Sequence, residues 1–182
     1  MNALLDRHNS CLLLIDVQEK LLGTIHDWQR LLDRLVWLVR VARKLDVPVL
    51  TSEQYPKGLG QTHSALRTLL ADATVVDKID FSCVAAKCFD GLRGFDRQQL
   101  VICGIESHVC VQQTALELRE QGREVFVVAD AVGSRNPSDR ELALARMRGH
   151  GIEIVSREMV VFEWLRRAGT DEFRAISAEF LR

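Results

Sequence analysis

Cys11-Leu12-Leu13-Leu14-Ile15 is a continuous apolar run near the start of the chain, and Asp16 follows it directly. A run of this length without polar alternation is typical of a strand that is buried on both faces of a sheet. The next long segment, 28–45, has its leucine and valine residues at helical spacing, and Asp27 is placed to cap it. The beginning of the chain therefore predicts a buried strand followed by a long amphipathic helix.

The rest of the chain repeats this alternation of strand and helix. Ser138 and Glu141 have the spacing of a capping box for a helix that opens at Pro137. Strands separated by helices favour a parallel sheet covered on both faces, so we predict a three-layer α/β/α sandwich, built as one domain over residues 1–182. The further predicted strands cover 48–51, 74–76, 100–103, 125–129 and 152–155, and the further predicted helices cover 63–70, 84–92, 108–121, 137–149, 159–167 and 171–181.

The charge balance limits the classes of partner. The 182 residues include 24 Lys and Arg and 25 Asp and Glu, which gives a net charge of −1. This balance provides no electrostatic footprint for nucleic acid or for an anionic membrane surface. No apolar run approaches the ~20 residues that cross a bilayer. We therefore expect a small-molecule substrate and, as a macromolecular partner, another copy of the chain.

Cysteine usage and the first residues predict the compartment. The five cysteines, at positions 11, 83, 88, 103 and 110, are an odd number, which is untypical of a secreted disulfide framework. The first ten residues carry Asp6 and Arg7 and lack the long apolar stretch of a signal peptide. We expect a cytoplasmic protein with free thiols.

Three chemically distinct side chains stand where predicted strands end. Asp16 follows the first strand, Lys78 follows the third, and Cys110 comes after the fourth, in the first turn of a predicted helix. Ligands of open α/β sheets bind outside the carboxyl ends of the strands, so we expect the three to meet. The positive end of the helix dipole would favour the Cys110 thiolate. Asp16 could accept and return the thiol proton, Lys78 could stabilise the thiolate, and the backbone N–H groups of residues 106 and 110 could hold an oxyanion.

The segments around these residues resemble a known family. The chain reads Leu-Ile-Asp-Val-Gln at 14–18, Lys-Ile-Asp-Phe-Ser at 78–82 and Gly-Ile-Glu-Ser-His-Val-Cys-Val at 104–111. In this order, the three segments are similar to the motifs of the isochorismatase-like cysteine hydrolases, a superfamily that includes nicotinamidases and N-carbamoylsarcosine amidase. The loop at 53–60, Glu-Gln-Tyr-Pro-Lys-Gly-Leu-Gly, resembles the subgroup of isochorismatase domain-containing proteins.

The resemblance implies a set of site residues. It assigns a catalytic triad to Asp16, Lys78 and Cys110, and it puts a non-proline cis peptide bond between Ile105 and Glu106. It also implies a homo-oligomer, because proteins of this superfamily are commonly oligomeric. The number of subunits does not follow from the sequence.

Departures from the nicotinamidase pattern narrow the expected reaction. Nicotinamidases carry an Asp-x-His metal pair after the second strand, where this chain has Glu53 and Tyr55, and the five histidines show no metal-ligand spacing. A site formed by Glu53 with His63 is the one metal alternative; we expect no metal and no cofactor. The expected reaction is hydrolysis of a small amide, carbamoyl or related C–N substrate. The pocket would be completed by Glu53, Tyr55, Phe81 and His108.

Two other classes of function stay open at this point. The chain could be a non-catalytic binding or thiol redox-sensing protein on the same scaffold, in which Cys110 forms a sulfenic acid. It could also be a structural subunit whose apolar helix at 28–45 supports assembly. An aspartate or a lysine at a strand end is, by itself, also typical of a helix cap or a solvated side chain.

Overall fold

The computed structural model describes residues 4–70 and 75–181. The strands are β1 (Ser10–Ile15), β2 (Val49–Gln54), β3 (Val75–Lys78), β4 (Gln99–Ile105), β5 (Glu124–Gly133) and β6 (Glu153–Val155). The α-helices are α1 (Glu19–Leu22), α2 (Trp28–Lys44), α3 (Pro56–Leu59), α4 (Ser64–Arg67), α5 (Gln112–Glu120), α6 (Pro137–Gly149), α7 (Arg157–Leu165) and α8 (Asp171–Phe180). A 3₁₀ turn spans Thr68–Leu70, and a π-helical turn spans Ser107–Val111.

The strands form one parallel sheet in the order β3-β2-β1-β4-β5-β6. Alternate residues of the central strand β1 enter two separate cores. Leu12 and Leu14 pack in the core that α2, α7 and α8 cover, whereas Leu13 and Ile15 pack in the core that α5 and α6 cover. Because apolar side chains leave both faces of the sheet, helices must cover both faces. The predicted three-layer sandwich is confirmed.

Four strands extend further toward their carboxyl ends than the apolar runs predicted. Strand β2 ends at Gln54 instead of Thr51, β3 at Lys78 instead of Val76, β4 at Ile105 instead of Cys103, and β5 at Gly133 instead of Ala129. Thr74, the predicted start of the third strand, lies outside the described residues. The additional strand residues matter because several of them are polar and belong to the candidate site.

The helix predicted at 84–92 is wrong. Residues 79–97 consist of turns and bends, and Lys87, Gly91 and Gly94 have positive φ values of 52°, 77° and 98°. A right-handed helix cannot continue through residues in that conformation. The helix predicted at 108–121 is also shorter, because its first part is the π-helical turn and α5 begins only at Gln112.

Two predicted caps are wrong as well. Asp27 does occupy the position before α2, but it has a left-handed conformation (φ 53°) and its side chain makes no capping hydrogen bond. For α6, Asn136 takes the capping position and Pro137 the first helical position, so Ser138 already lies inside the helix. The capping box predicted from Ser138 and Glu141 therefore does not form.

Gly104 lets β4 approach β1 just before the candidate site. It has a φ of +118°, and a Cβ there would collide with the main-chain oxygen of Ile15. The pairing of β4 with β5 shifts its register between Ile102 and Gly104. A residue without a side chain is required at this position, and the irregular strand end sets the direction of the turn that follows. Among the residues described, no helix has both the length and the apolar character needed to cross a membrane.

Candidate active site

Four neighbouring strands deliver the polar residues of the candidate site. Asp16 follows β1 directly, Gln54 and Lys78 are paired at the ends of β2 and β3, and Cys110 lies in the turn after β4. The parallel order places all four strand ends at the same edge of the sheet. Asp16 has a left-handed backbone conformation (φ 51°), which aspartate adopts more readily than most residues.

Asp16 and Lys78 form a buried ion pair. Lys78 Nζ lies 2.8 Å from Asp16 Oδ2, and the two side chains are 0% and 1% exposed. The other carboxylate oxygen, Oδ1, accepts a 2.7 Å hydrogen bond from the hydroxyl of Ser52. A buried charge is tolerated only when it is paired and hydrogen-bonded, and both conditions are met here.

The Lys78 ammonium has acceptors on several sides. In addition to Asp16, it donates to Gln54 Oε1 at 2.6 Å and to the main-chain oxygens of Phe81 and Asp80 at 3.0 and 3.3 Å. Burial lowers the pKa of Lys78, but its interactions with Asp16 and with the neighbouring thiols outweigh burial, so the pKa lies above its usual value. Lys78 is therefore a fixed cation at neutral pH.

The Cys110 thiol lies beside this pair. Its sulfur is 4.0 Å from Gln54 Oε1, and the residue is 6% exposed. Burial raises the pKa of the thiol, Asp16 raises it further, and Lys78 offsets only part of the rise. The expectation that the helix dipole would favour the thiolate is therefore wrong for the resting protein. Desolvation of the buried sulfur and the nearby carboxylate keep Cys110 protonated.

A second thiol in the same neighbourhood has the lower pKa. Burial raises the pKa of Cys83, but a hydrogen bond from Cys88 and the charge of Lys78 bring it below its usual value. Hydrogen bonding to Cys83 and burial raise the pKa of Cys88. Cys83 is buried, whereas Cys88 is partly exposed. Cys83 contributes to the electrostatics of both Lys78 and Cys110.

Glu53 points away from this cluster. Its Oε1 accepts hydrogen bonds of 2.6 and 2.7 Å from the main-chain N–H and the hydroxyl of Thr62, and Arg67 lies 3.5 Å away. Successive residues of a strand face opposite sides of the sheet, so Glu53 and its neighbour Gln54 are directed apart. The structure makes Glu53 an anchor for the segment before α4.

Tyr55 and Phe81 contact Lys78 through main-chain atoms and keep their side chains largely exposed. Their side chains are 51% and 52% exposed. Tyr55 has a φ of 38° and donates its main-chain N–H to the Lys78 carbonyl at 2.8 Å, while Phe81 contributes its main-chain oxygen to the Lys78 ammonium. Both residues thus hold Lys78 through their main chains.

His108 is directed toward β5. Its Nδ1 lies 2.9 Å from the hydroxyl of Ser134, which lines a cavity of about 250 Å³ between α2, β5 and α6. The peptide bond between Ile105 and Glu106 is cis, and Glu106 forms an ion pair with Arg135 at 3.0 Å.

His63 accepts a hydrogen bond from the Ala65 N–H and caps α4. Within residues 4–70 and 75–181, no group of three or more His, Cys, Asp or Glu side chains is arranged to hold a metal ion.

Sequence reasoning missed Ser52, Gln54 and Ser107. Ser52 and Gln54 are buried polar residues at the end of β2, where the apolar run had already stopped. Ser107 opens the turn that carries Cys110, and its hydroxyl is buried with no hydrogen-bond partner among the described residues. A polar Ser-x-Gln alternation continuing a strand is the signal that could have identified the first two.

Fold and site together define a class of protein. A parallel α/β/α sandwich gathers a carboxylate, an ammonium and a thiol at the carboxyl ends of its strands. Residues 10–159 match the family model of the isochorismatase domain. The chain therefore belongs to the isochorismatase domain family.

Individual relatives support this assignment. Isochorismatase domain-containing protein 2A of Mus musculus is 39% identical over 170 residues, covering 92% of this chain and 81% of the mouse protein. The secreted isochorismatase effector Isc1 of Phytophthora sojae is 38% identical over 175 residues, covering 93% of this chain and 83% of its own.

Solved structures share the fold over nearly the whole chain. A structure of MAR1 ribonuclease from Caenorhabditis elegans superposes with a TM-score of 0.90 at 33% identity, covering 99% of this chain and 93% of the other. The YcaC gene product of Escherichia coli, described as an octameric hydrolase of unknown specificity, has a TM-score of 0.91 at 24% identity, covering 100% of this chain and 92% of the other. The chain thus has the fold of the isochorismatase-family hydrolases.

Proposed function

We propose that this protein is a cysteine hydrolase that cleaves the C–N bond of a small amide, carbamoyl compound or related substrate. The observation that supports this most strongly is the buried Asp16–Lys78 ion pair beside the Cys110 thiol. Burying two opposite charges is costly, and the cost is understandable where the charges serve chemistry. The position of the pair outside the carboxyl ends of the strands is where α/β sheets bind their ligands.

The chemistry begins with a protonated thiol. As the Cys110 sulfur attacks the substrate carbonyl carbon, Asp16 takes the thiol proton, and Lys78 balances the negative charge that forms. The main-chain N–H groups of Glu106 and Cys110 receive the oxyanion. Collapse of the tetrahedral intermediate breaks the C–N bond, and the leaving nitrogen takes the proton back from Asp16. Water then hydrolyses the thioester and regenerates the thiol.

We propose that this reaction uses no metal ion. The support is the environment of Glu53, whose carboxylate is engaged by Thr62 and Arg67 on the side of β2 opposite to Gln54. His63 is engaged as the cap of α4. Treatment with a chelator is therefore expected to leave turnover unchanged, and restored turnover after addition of a divalent metal would contradict the proposal.

A thiol-redox function is the second candidate, and the position of Cys83 favours it. Cys83 has a lowered pKa and contributes to the electrostatics at Cys110. Peroxide would convert the Cys110 thiol to a sulfenic acid with release of water, and condensation with a neighbouring thiol would release a second water and form a disulfide. Reversible oxidation at Cys110 without hydrolysis of any amide would favour this candidate over the hydrolase.

The assembly and the compartment are part of the same proposal. The octameric relative and the exposed apolar residues Ile79 (71%) and Phe81 (52%) support a homo-oligomer. All five cysteines are free, which supports a reducing, cytoplasmic location, although one relative is a secreted effector. Light scattering of the purified protein tests the assembly, and a monomer at micromolar concentration would contradict it.

Trapping the acyl-enzyme tests the hydrolase proposal directly. The protein is mixed with a panel of small primary amides and N-carbamoyl compounds, ammonia release is followed, and samples are quenched in acid for peptide mass spectrometry. We expect an acyl adduct on Cys110 with any substrate that releases ammonia. Cys11 and Cys103 in the same digest are internal controls and stay unmodified. Ammonia release with the adduct on a different residue would overturn the proposal.

A further inference from the structure

The side chain of Gln54 makes contacts in the candidate site that its position in β2 does not require. It is the last residue of β2 and is 8% exposed. Its carboxamide oxygen lies 2.6 Å from Lys78 Nζ and 4.0 Å from the Cys110 sulfur. One oxygen atom therefore contacts two of the three residues to which we assign the reaction.

The orientation of this carboxamide is fixed by its partners. The Nε2 group donates a 2.6 Å hydrogen bond to the carbonyl of Ile79, which can only accept. The Lys78 ammonium can only donate, so the carboxamide oxygen must face Lys78 and the nitrogen must face Ile79. A flipped amide would put two donors against each other and leave a carbonyl without a partner.

The main chain of Gln54 is held as firmly as its side chain. The Gln18 side chain accepts the Gln54 N–H at 2.7 Å and donates to the Gln54 carbonyl at 3.0 Å. The same Gln18 Nε2 also donates to the Gly60 carbonyl at 2.6 Å. Hydrogen bonds thus fix both the main chain and the side chain of Gln54. A residue that is already fixed in this way loses no further conformational freedom when it holds other groups in place.

The chemistry of the contact follows from the neutral charge of the amide. A carboxamide oxygen has two acceptor sites, one for the Lys78 ammonium and one for the thiol proton. Asp16 also accepts from the Cys110 thiol and thereby raises its pKa, so the Gln54 oxygen is a second, neutral acceptor on the protonated thiol. Since the amide adds no charge, the Asp16–Lys78 pair beside it remains balanced.

We propose that Gln54 is a positioning residue of this site: its single carboxamide oxygen fixes the Lys78 ammonium beside Asp16 and holds the protonated Cys110 thiol until a substrate carbonyl arrives. The inference rests on the proposed function for its meaning, since positioning matters only if Cys110 reacts. Its physical content, that Gln54 adds to the burial and the Asp16 carboxylate that keep the resting thiol protonated, can be measured without any substrate.

The test is the pH dependence of Cys110 alkylation by iodoacetamide in the folded full-length protein, followed by peptide mass spectrometry. Gln54→Met is close to isosteric and removes both contacts of the oxygen. The protonated thiol then keeps only Asp16 as an acceptor, and Lys78 loses one of its four acceptors. We therefore expect alkylation to be roughly three- to tenfold faster at pH 8, a downward shift of the profile by about half a pH unit to one pH unit. An unchanged profile, or slower alkylation, would overturn the proposal.

Gln99→Met is the matched control. Gln99 is fully buried at the amino end of β4, at the opposite edge of the sheet, and also makes several hydrogen bonds. We expect this variant to lose stability but to keep the alkylation profile of Cys110 within about twofold of wild type. An equal change in both variants would mean that general loosening, and not Gln54, sets the profile.

A second variant keeps the test decisive if Gln54→Met does not fold. Gln54→Asn retains the amide but is one methylene shorter, so its oxygen cannot keep both contacts, and we expect a shift in the same direction. These outcomes are separable from failure of the proposed function. If no amide is hydrolysed but the profile shifts as expected, Gln54 positions the thiol of a protein that does not turn over. If amides are hydrolysed and the profile does not shift, only the role of Gln54 is wrong.

Discussion

At the amino ends of the strands, Gln99 is fully buried and bonds to the N–H of Asp6, the carbonyl of Leu4 and the side chains of Ser10 and Glu124. At the carboxyl ends, Gln54 is buried among Asp16, Lys78 and Cys110. Both regions therefore contain a glutamine in a dense hydrogen-bond network. The network at the carboxyl ends also contains a buried ion pair and a thiol.

Each end also has a buried cysteine near cations. Cys11 lies near Arg97 and Arg123, yet burial raises its pKa to about 12, because desolvation outweighs both charges. Burial raises the pKa of Cys110 too, Asp16 raises it further, and Lys78 lowers it. Positive charge near a buried thiol therefore does not by itself produce a thiolate. Cys11 also has a carboxylate in its surroundings, but Asp96 is exposed, whereas the carboxylate beside Cys110 is the buried Asp16, paired with Lys78.

The largest expected difference between the two ends concerns turnover. Cys110→Ala should reduce hydrolysis of any substrate that the amide panel reveals by about a thousandfold or more, because it removes the proposed nucleophile. Cys11→Ala deletes the same sulfur at the other end and should change turnover less than about twofold once the folded fraction is accounted for. Ammonia release under saturating substrate measures both. Substantial turnover in Cys110→Ala would remove the distinction between the ends.

The second difference concerns the free energy of unfolding when a buried charge loses its partner. Lys78→Met leaves the Asp16 carboxylate buried without its partner, so we expect a loss of about 3–5 kcal/mol in the free energy of unfolding, measured by urea denaturation. The double variant Asp16→Leu with Lys78→Met should recover much of this loss, because no buried charge remains. Arg174→Met, at an exposed ion pair with Asp171, is the control and should change stability far less. A double variant no more stable than Lys78→Met would show that the ion pair itself stabilises the fold.

The sequence was informative about the fold because β1 has no polar residue between Cys11 and Ile15. A strand buried on both faces leaves a continuous apolar run, and that run implied helices on both sides. The end of β2 was not predictable in the same way. Its last buried residues are polar and bond to side chains that follow or end neighbouring strands, so local hydrophobicity gives no sign that Ser52 and Gln54 belong to a sheet.

The same distinction applies to the candidate site residues: some can be identified from the local sequence, whereas the orientation of others depends on tertiary contacts. Asp16, Lys78 and Cys110 could be selected because each stands where a strand ends and because their motifs resemble a family. The direction in which Glu53 and His108 point depends on Thr62 and Ser134, which are distant in sequence or separated by a turn. The acidity of Cys110 was predicted with the wrong sign, because desolvation is set by tertiary burial and not by position in a helix.

A pH-dependent difference should appear at the amino end. In the unfolded chain the Cys11 thiol loses its proton near its usual pKa of 9.0, whereas in the folded protein it keeps the proton up to about pH 12. Stability from this group is therefore complete below about pH 9 and is lost as the pH rises toward 12, by about 1.4 kcal/mol per pH unit. Cys11→Ala should make the decline of unfolding free energy between pH 9 and 10.5 shallower by about that slope.

Cys110→Ala extends this measurement to the other end of the sheet. Burial raises the pKa of Cys110 as well, so removing its thiol should also make the alkaline decline shallower. Urea denaturation at several pH values measures the slopes. If neither variant changes the slope relative to wild type, the two thiols are not desolvated in the folded protein, and the contrast between the ends rests on Asp16 alone.

The smallest expected effect distinguishes Glu53 from Gln54, which face opposite sides of β2 at its carboxyl end. Glu53→Gln keeps an acceptor for the Thr62 N–H and hydroxyl but removes the charge, so we expect a loss of only about 1 kcal/mol in unfolding free energy. Thr62→Val, which removes one of the two donors, is the control and should cost a similar amount. Because Gln54 faces the opposite side of β2, the alkylation profile of Cys110 should stay unchanged in Glu53→Gln. A shift of half a pH unit or more would mean that the charge of Glu53 reaches the thiol through the strand, and that adjacent residues of β2 do not have separate roles.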